Sequence, residues 1–149
     1  MHHGNGTQDI VQNNPNIYYV STHQFPFYPG TGFHIEKGEY GNVLNIPLPA
    51  GIGSVDYRKK FDEGVIPFIH KSASDMLIIS AGFDAHRRDP LAGFNLETED
   101  FAYMTRKLQI MQPHILIGLE GGYDLQALGE GCEAVAWVLV DDAKGSAEK

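Results

Sequence analysis

The chain has 149 residues, 42% of them hydrophobic and 20% charged, a size and balance that suit one globular domain. Its net charge of −8 excludes the basic footprint that nucleic-acid binding needs, and a single cysteine, Cys132, excludes an internal disulfide. No apolar run approaches the ~18–20 residues of a membrane span, and the opening MHHGNGTQDI lacks a basic-then-apolar signal pattern, so a soluble cytoplasmic protein with no membrane partner is expected.

Four stretches read as strands. Ile17 to Thr22 is β-branched and aromatic, and Asn42 to Leu48 alternates before it meets prolines. Met76 to Ala81 and His114 to Leu119 are nearly continuous apolar runs of the kind found in parallel sheets covered on both faces. Three stretches read as helices. Ser54 is placed to cap a helix from Val55 to about Lys71, with Phe61, Val65, Phe68 and Ile69 on one side. Thr98 is placed to cap a second, with Glu99 and Asp100 in its first turn and a stripe of Phe101, Met104, Leu108 and Met111. The third runs from about Leu125 to Val140 with Leu125, Leu128, Cys132, Val135 and Leu139 inward, against the cost of Gly129 and Gly131. Asp141 to Lys149 reads as a solvated, flexible tail. The alternation predicts an α/β fold with a mainly parallel sheet flanked by helices, in which ligands bind beyond the carboxyl ends of the strands.

Four segments open the chain or follow strands, and each joins glycine to residues that bind metals or move protons: HHGNGT from His2, STHQFPFYPGTG from Ser21, AGFDAHRRDPLAGFN from Ala81 and LEGGYDL from Leu119. Taken alone, Asp84 also reads as a turn cap, His86 as a surface histidine, Tyr28 as a loop aromatic and Tyr123 as a packing residue. Taken together, a histidine, a carboxylate and a tyrosine at three such places suggest zinc-assisted hydrolysis. Zinc accepts nitrogen and oxygen ligands and leaves a position open for water, while Tyr123 has a hydroxyl suited to an oxyanion. The same ligand types also admit iron or cobalt. Glu97, Glu99 and Asp100 read either as a solvated helix start or as an attraction for a cationic substrate.

In order and wording the four segments resemble the zinc-dependent deacetylases of the histone deacetylase superfamily, closest to its bacterial and class II-like branch, with acetoin-utilisation proteins and acetylpolyamine amidohydrolases among its members. The resemblance covers residues 2 to 140. It implies a partial arginase/deacetylase-like fold over residues 1–140 and cleavage of acetyl amides of lysine or polyamine type to acetate and amine. By match to the family's motifs, His2 and Asp84 are zinc ligands and Tyr123 is the transition-state tyrosine. Tyr28 lines the acyl tunnel. Ser21, with the backbone around His2, belongs to a structural monovalent-cation site, usually potassium.

The resemblance also marks what is missing. The family's first aspartate ligand lies two residues before His2, and its proton-transferring histidine pair lies further upstream. His2 and His3 are not that pair. Met1 stands where the family usually has valine, as a GTG codon read as an internal start would produce. The expectation is a truncated carboxyl-terminal part, inactive alone, whose partner is the N-terminal half; the alternative is an inactive fragment or a binding or regulatory module with a partial metal site. Lost packing from the upstream half predicts an exposed strand edge or apolar face.

Overall fold

The computed structural model describes residues 1–147, with side chains to Val140, and divides into two compact units, Met1–Ser74 and Asp75–Lys149.

The first unit opens with a short helix, α1 (Asn5–Val11), that the sequence does not predict. Seven residues with a glycine among them have little intrinsic helicity, so packing holds it: Gln8 and Val11 are buried. Strands β1 (Tyr19–Gln24) and β2 (Val43–Leu48) pair in parallel, with Ser21 opposite Asn45 and His23 opposite Pro47. The connection between them is an irregular stretch with cis bonds before Pro26 and Pro29. A helical run then follows as α2 (Ser54–Lys60), a π-turn (Phe61–Val65) and α3 (Ile66–Ser72). Pro67 accounts for the π-turn, because its ring removes an amide donor and crowds the carbonyl four residues back. The cap of α2 is Gly53, and Ser54 is the first helical residue rather than the cap expected. Val43, Leu48, Ile52, Tyr57, Phe61 and Val65 form the core of this unit.

The second unit is a βαβ arrangement. Strand β3 (Leu77–Ala81) leads through a long loop to α4 (Thr98–Met111), and β4 (Ile115–Leu119) pairs in parallel with β3. Helix α4 is capped by Glu97, not Thr98. The Glu97 carboxylate accepts from the Asp100 amide, and Asp100 Oδ2 accepts from the Glu97 amide at 2.8 Å. Asp100 is therefore buried as part of the cap, and Glu97 is paired with Arg87 at 2.8 Å; both have structural work apart from any substrate.

Helix α5 (Leu125–Ala147) runs seven residues past the end expected at Val140; the last two residues of the expected tail lie outside the described residues. Its buried positions are Ala127, Gly131, Val135 and Val138; of the residues expected inward, Val135 is buried, Leu128, Cys132 and Leu139 are half-buried, and Leu125 is 83% exposed. Gly131 faces the Phe83 ring. A Cβ there would lie 2.5 Å from a carbon of the Phe83 ring, so the glycine makes room for that ring instead of merely weakening the helix.

The face of the β3–β4 sheet carrying Ile78 and its cross-strand partner Leu116 is open, with the two side chains 68% and 54% exposed. This is the uncovered apolar face expected from the sequence.

Candidate active site

In the first unit, the opening segment is tied to the end of β1, where the Gln24 amide donates to the Met1 carbonyl at 3.0 Å. The His2 ring packs on Phe27 at 5.2 Å between centroids and meets Tyr28 edge-on at 6.3 Å, so the expected ligand and the expected tunnel aromatic are neighbours. Tyr28 is 78% exposed.

Ser21 reaches a neighbour to which the sequence reading gives no role. Its hydroxyl lies 3.0 Å from His23 Nδ1, and His23 Nε2 lies 2.9 Å from the Gly32 carbonyl. A carbonyl only accepts, so Nε2 carries the proton and Ser21 donates to Nδ1. Burial pushes the His23 pKa down, with nearby His3 adding to the effect against the opposing Gly32 bond, so this imidazole is neutral. Gly32 has a φ of 87°, and a Cβ on it would meet His23 and His3 ring atoms at 2.5 and 2.7 Å.

Next to His23, at 4.7 Å between centroids, lies His3. His3 Nε2 bonds to Gln8 Oε1 at 2.9 Å and its Nδ1 to Thr31 Oγ1 at 2.8 Å. Gln8 also accepts from Asn45 Nδ2 at 2.8 Å and donates to Glu36 at 2.6 Å. Burial raises the Glu36 pKa, but hydrogen bonds from Gln8 and the Phe33 amide outweigh it and hold the carboxyl below its ordinary value. This chain of buried and half-buried polar groups braces the segment that follows His2.

In the second unit, Asp84 and Tyr123 come together. Asp84 is buried at the end of β3. A Cβ on Gly121 would lie 3.2 Å from Asp84 Oδ2 and 3.5 Å from Tyr123 Cε2, so carboxylate and phenol ring flank the same bare glycine. The Phe83 amide donates to the Gly121 carbonyl at 2.6 Å and joins the two loops. Tyr123 is 55% exposed.

Two residues here were missed by sequence reasoning. Asp89 is buried and accepts from the Tyr123 amide at 2.8 Å and the Leu91 amide at 2.9 Å. Arg88 bonds to Glu130 on α5 and approaches Asp124 at 3.7 Å. The signal was present in the Arg-Asp-Pro wording, but the partners are 34 to 42 residues away.

Among the described residues no three His, Cys, Asp or Glu side chains gather into a metal-binding group. His2 in the first unit and Asp84 in the second each offer a donor type that zinc accepts.

Residues 1–139 match the histone deacetylase domain family, and the chain belongs to it. It is 50% identical over 131 residues to the uncharacterized protein slr0245 of Synechocystis, covering 87% of this chain and 43% of that protein. Among solved structures, the HDA15 HD domain superposes with a TM-score of 0.90 at 38% identity, over 94% of this chain and 42% of that one. The acetylpolyamine aminohydrolase of Burkholderia pseudomallei gives 0.86 at 29% identity, over 93% of this chain and 42% of that one. The chain therefore spans less than half the length of each of these relatives. The fold is the α/β deacetylase fold in part, as expected. No helix among the described residues is long and apolar enough to cross a membrane.

Proposed function

We propose that this chain is the carboxyl-terminal part of a zinc-dependent amidohydrolase domain that cleaves acetyl amides of lysine or polyamine type to acetate and a free amine. The observation that carries the reading is the pairing of buried Asp84 with exposed Tyr123 across Gly121, at the carboxyl ends of two parallel strands. That is where ligands of such sheets bind.

In this reading His2 and Asp84 are two of three zinc ligands, and an aspartate from a preceding stretch of polypeptide is the third. Iron or cobalt would suit the same donors. Zinc, when bound, supplies a Lewis acid and a water acidic enough to ionise near neutral pH. The Tyr123 hydroxyl donates a hydrogen bond to the oxygen that gains charge as the amide carbonyl is attacked. Tyr28 and Phe27 beside His2 give the aliphatic stem of the substrate an apolar wall. Ser21 donates to His23 and keeps lone pairs for a potassium ion, which would stiffen the segment behind His2. The histidine pair that moves protons belongs to the same preceding stretch, and so does the third ligand. The open Ile78–Leu116 face supports the view that further polypeptide packs on this chain. Alone, the chain is then inactive.

A second reading, a binding or regulatory module with a partial metal site, is favoured by the lack of a three-ligand group among the described residues. One experiment separates the two. Residues 1–149 are joined to the upstream part of the Synechocystis relative, and zinc content and release of acetate from acetyl-lysine and acetylpolyamine reporters are measured for the chimera and the isolated chain. Turnover by the chimera alone is expected, with Tyr123→Phe lowering kcat by about 10²–10³-fold. Turnover by the isolated chain would overturn its proposed incompleteness. A folded, zinc-loaded chimera without turnover would leave the module reading in its place.

A further inference from the structure

We infer that Asp89 is a positioning residue for Tyr123: its buried carboxylate fixes the backbone from which the phenol projects over the Asp84 side of the site. This rests on the deacetylase reading given above.

The problem it solves is geometric. Tyr123 follows two glycines, Gly121 and Gly122, the second at a φ of 157°, so the chain entering it has little intrinsic restraint. An oxyanion donor must be held close to its target position, and a small displacement costs far more in rate than in stability. The ring is 55% exposed, so packing alone does not hold it. The backbone is held on both sides instead. On one side the Tyr123 amide donates to Asp89 Oδ2 at 2.8 Å. On the other, Asp124 caps α5, its Oδ1 accepting from the Ala127 amide at 2.7 Å and its carbonyl from the Leu128 amide at 2.9 Å.

Asp89 is itself immobilised. It is 6% exposed, its Oδ1 accepts from the Leu91 amide at 2.9 Å, and its own amide donates to the His86 carbonyl at 2.9 Å. It lies five residues after Asp84 in the same loop. One loop thus presents the metal-ligand candidate and also grips the loop bearing the oxyanion donor. Together with the Phe83–Gly121 bond, this makes two ties that lock the two loops in register. A carboxylate suits the task because both of its oxygens accept, and two amide donors converge on it. Asparagine cannot replace it fully, since its nitrogen cannot accept from an N–H.

The test is a double-mutant cycle in the chimera. Asp89→Ala should lower kcat by about ten- to a hundredfold with KM within about twofold, as expected of a misplaced donor. In a Tyr123→Phe background the same change should do almost nothing to kcat, because its route to the reaction has been removed. Asp89→Asn, closer in size, should fall between Ala and the parent and guards against simple misfolding. An additive cycle would overturn the inference, because Asp89 would then act independently of Tyr123. Amide hydrogen exchange in the 149-residue chain gives a readout that needs no turnover: the Tyr123 amide should exchange at least tenfold faster in Asp89→Ala while β3 and β4 amides keep their protection. If the Tyr123 amide is unaffected, the inference falls even where the chimera is active. If the unmutated chimera is inactive but the exchange effect appears, the deacetylase reading fails and the Asp89 tie itself stands.

Discussion

The two units brace their candidate site residues by different means. In the first, every residue of β1 and β2 is buried or half-buried, and the segment bearing His2 is braced by side chains bonding side chains: Thr31, His3, Gln8, Asn45 and Glu36 in one connected run. In the second, the sheet leaves Ile78 and Leu116 exposed, and the loops bearing Asp84 and Tyr123 are braced through backbone amides and carbonyls, with Asp89 as the main side-chain partner. A network of buried side chains specifies its members closely, because any one left unpaired costs free energy. Backbone bracing tolerates most side chains and concentrates its dependence on one carboxylate and a few glycines.

The sharpest way to break this comparison is to truncate one leucine in each sheet. Leu48→Ala, at a site 3% exposed, should lower stability by about 2–5 kcal/mol, whereas Leu116→Ala should change it by no more than about 0.5 kcal/mol. Urea unfolding followed through the amides of each strand pair would read both. Equal losses would mean that the β3–β4 face is covered in solution.

Slightly smaller is the effect of Gly32→Ala. Alanine must adopt the positive φ and also press a methyl group against His23 and His3, which together should cost about 2–4 kcal/mol. Amide exchange should show the loss in the first unit, and protection of β3 and β4 that fell as far would erase the distinction between the units.

The smallest effect is that of pH. His23 is held neutral in the folded state and takes a proton more readily when unfolded, so stability falls as pH drops below about 6.5. Glu36 has the depressed value of a bonded carboxylate. Its contribution is present above about pH 4.5 and is lost as pH falls further, through its folded pKa. Denaturation midpoints across pH 4–8 should show the first loss in the parent and a flatter curve in His23→Gln. An unchanged curve would remove His23 as its source.

Much of this was legible in the residues. The strands stood out because apolar and β-branched runs such as MLIISA and HILIGL suit little else, and all four lie within two residues of the spans expected. The α4 stripe was visible at Phe101 and Leu108 for the same reason. Asp84 and Tyr123 were visible because each ends a strand among glycines. Helix α1 was hidden, since its stability comes from Gln8 and Val11 meeting distant partners. The brace behind His2 was hidden too: His3, Gln8 and Asn45 are polar residues whose bonds span 5 to 37 positions, and no local pattern signals such partners. Asp89 escaped notice because its key partner is a backbone amide, which every residue but proline has.

The Phe83 ring against Gly131 carries one more consequence. It works as a notch and tooth. Sliding α5 one position either way would bring Glu130 or Cys132 opposite the ring, and neither leaves room for it. The helix therefore has a single seat, and Asp124 at its start sits at a fixed distance along the axis from that seat. Because Tyr123 directly precedes Asp124, the tooth helps set where the phenol begins, about two helical turns along the axis from Gly131.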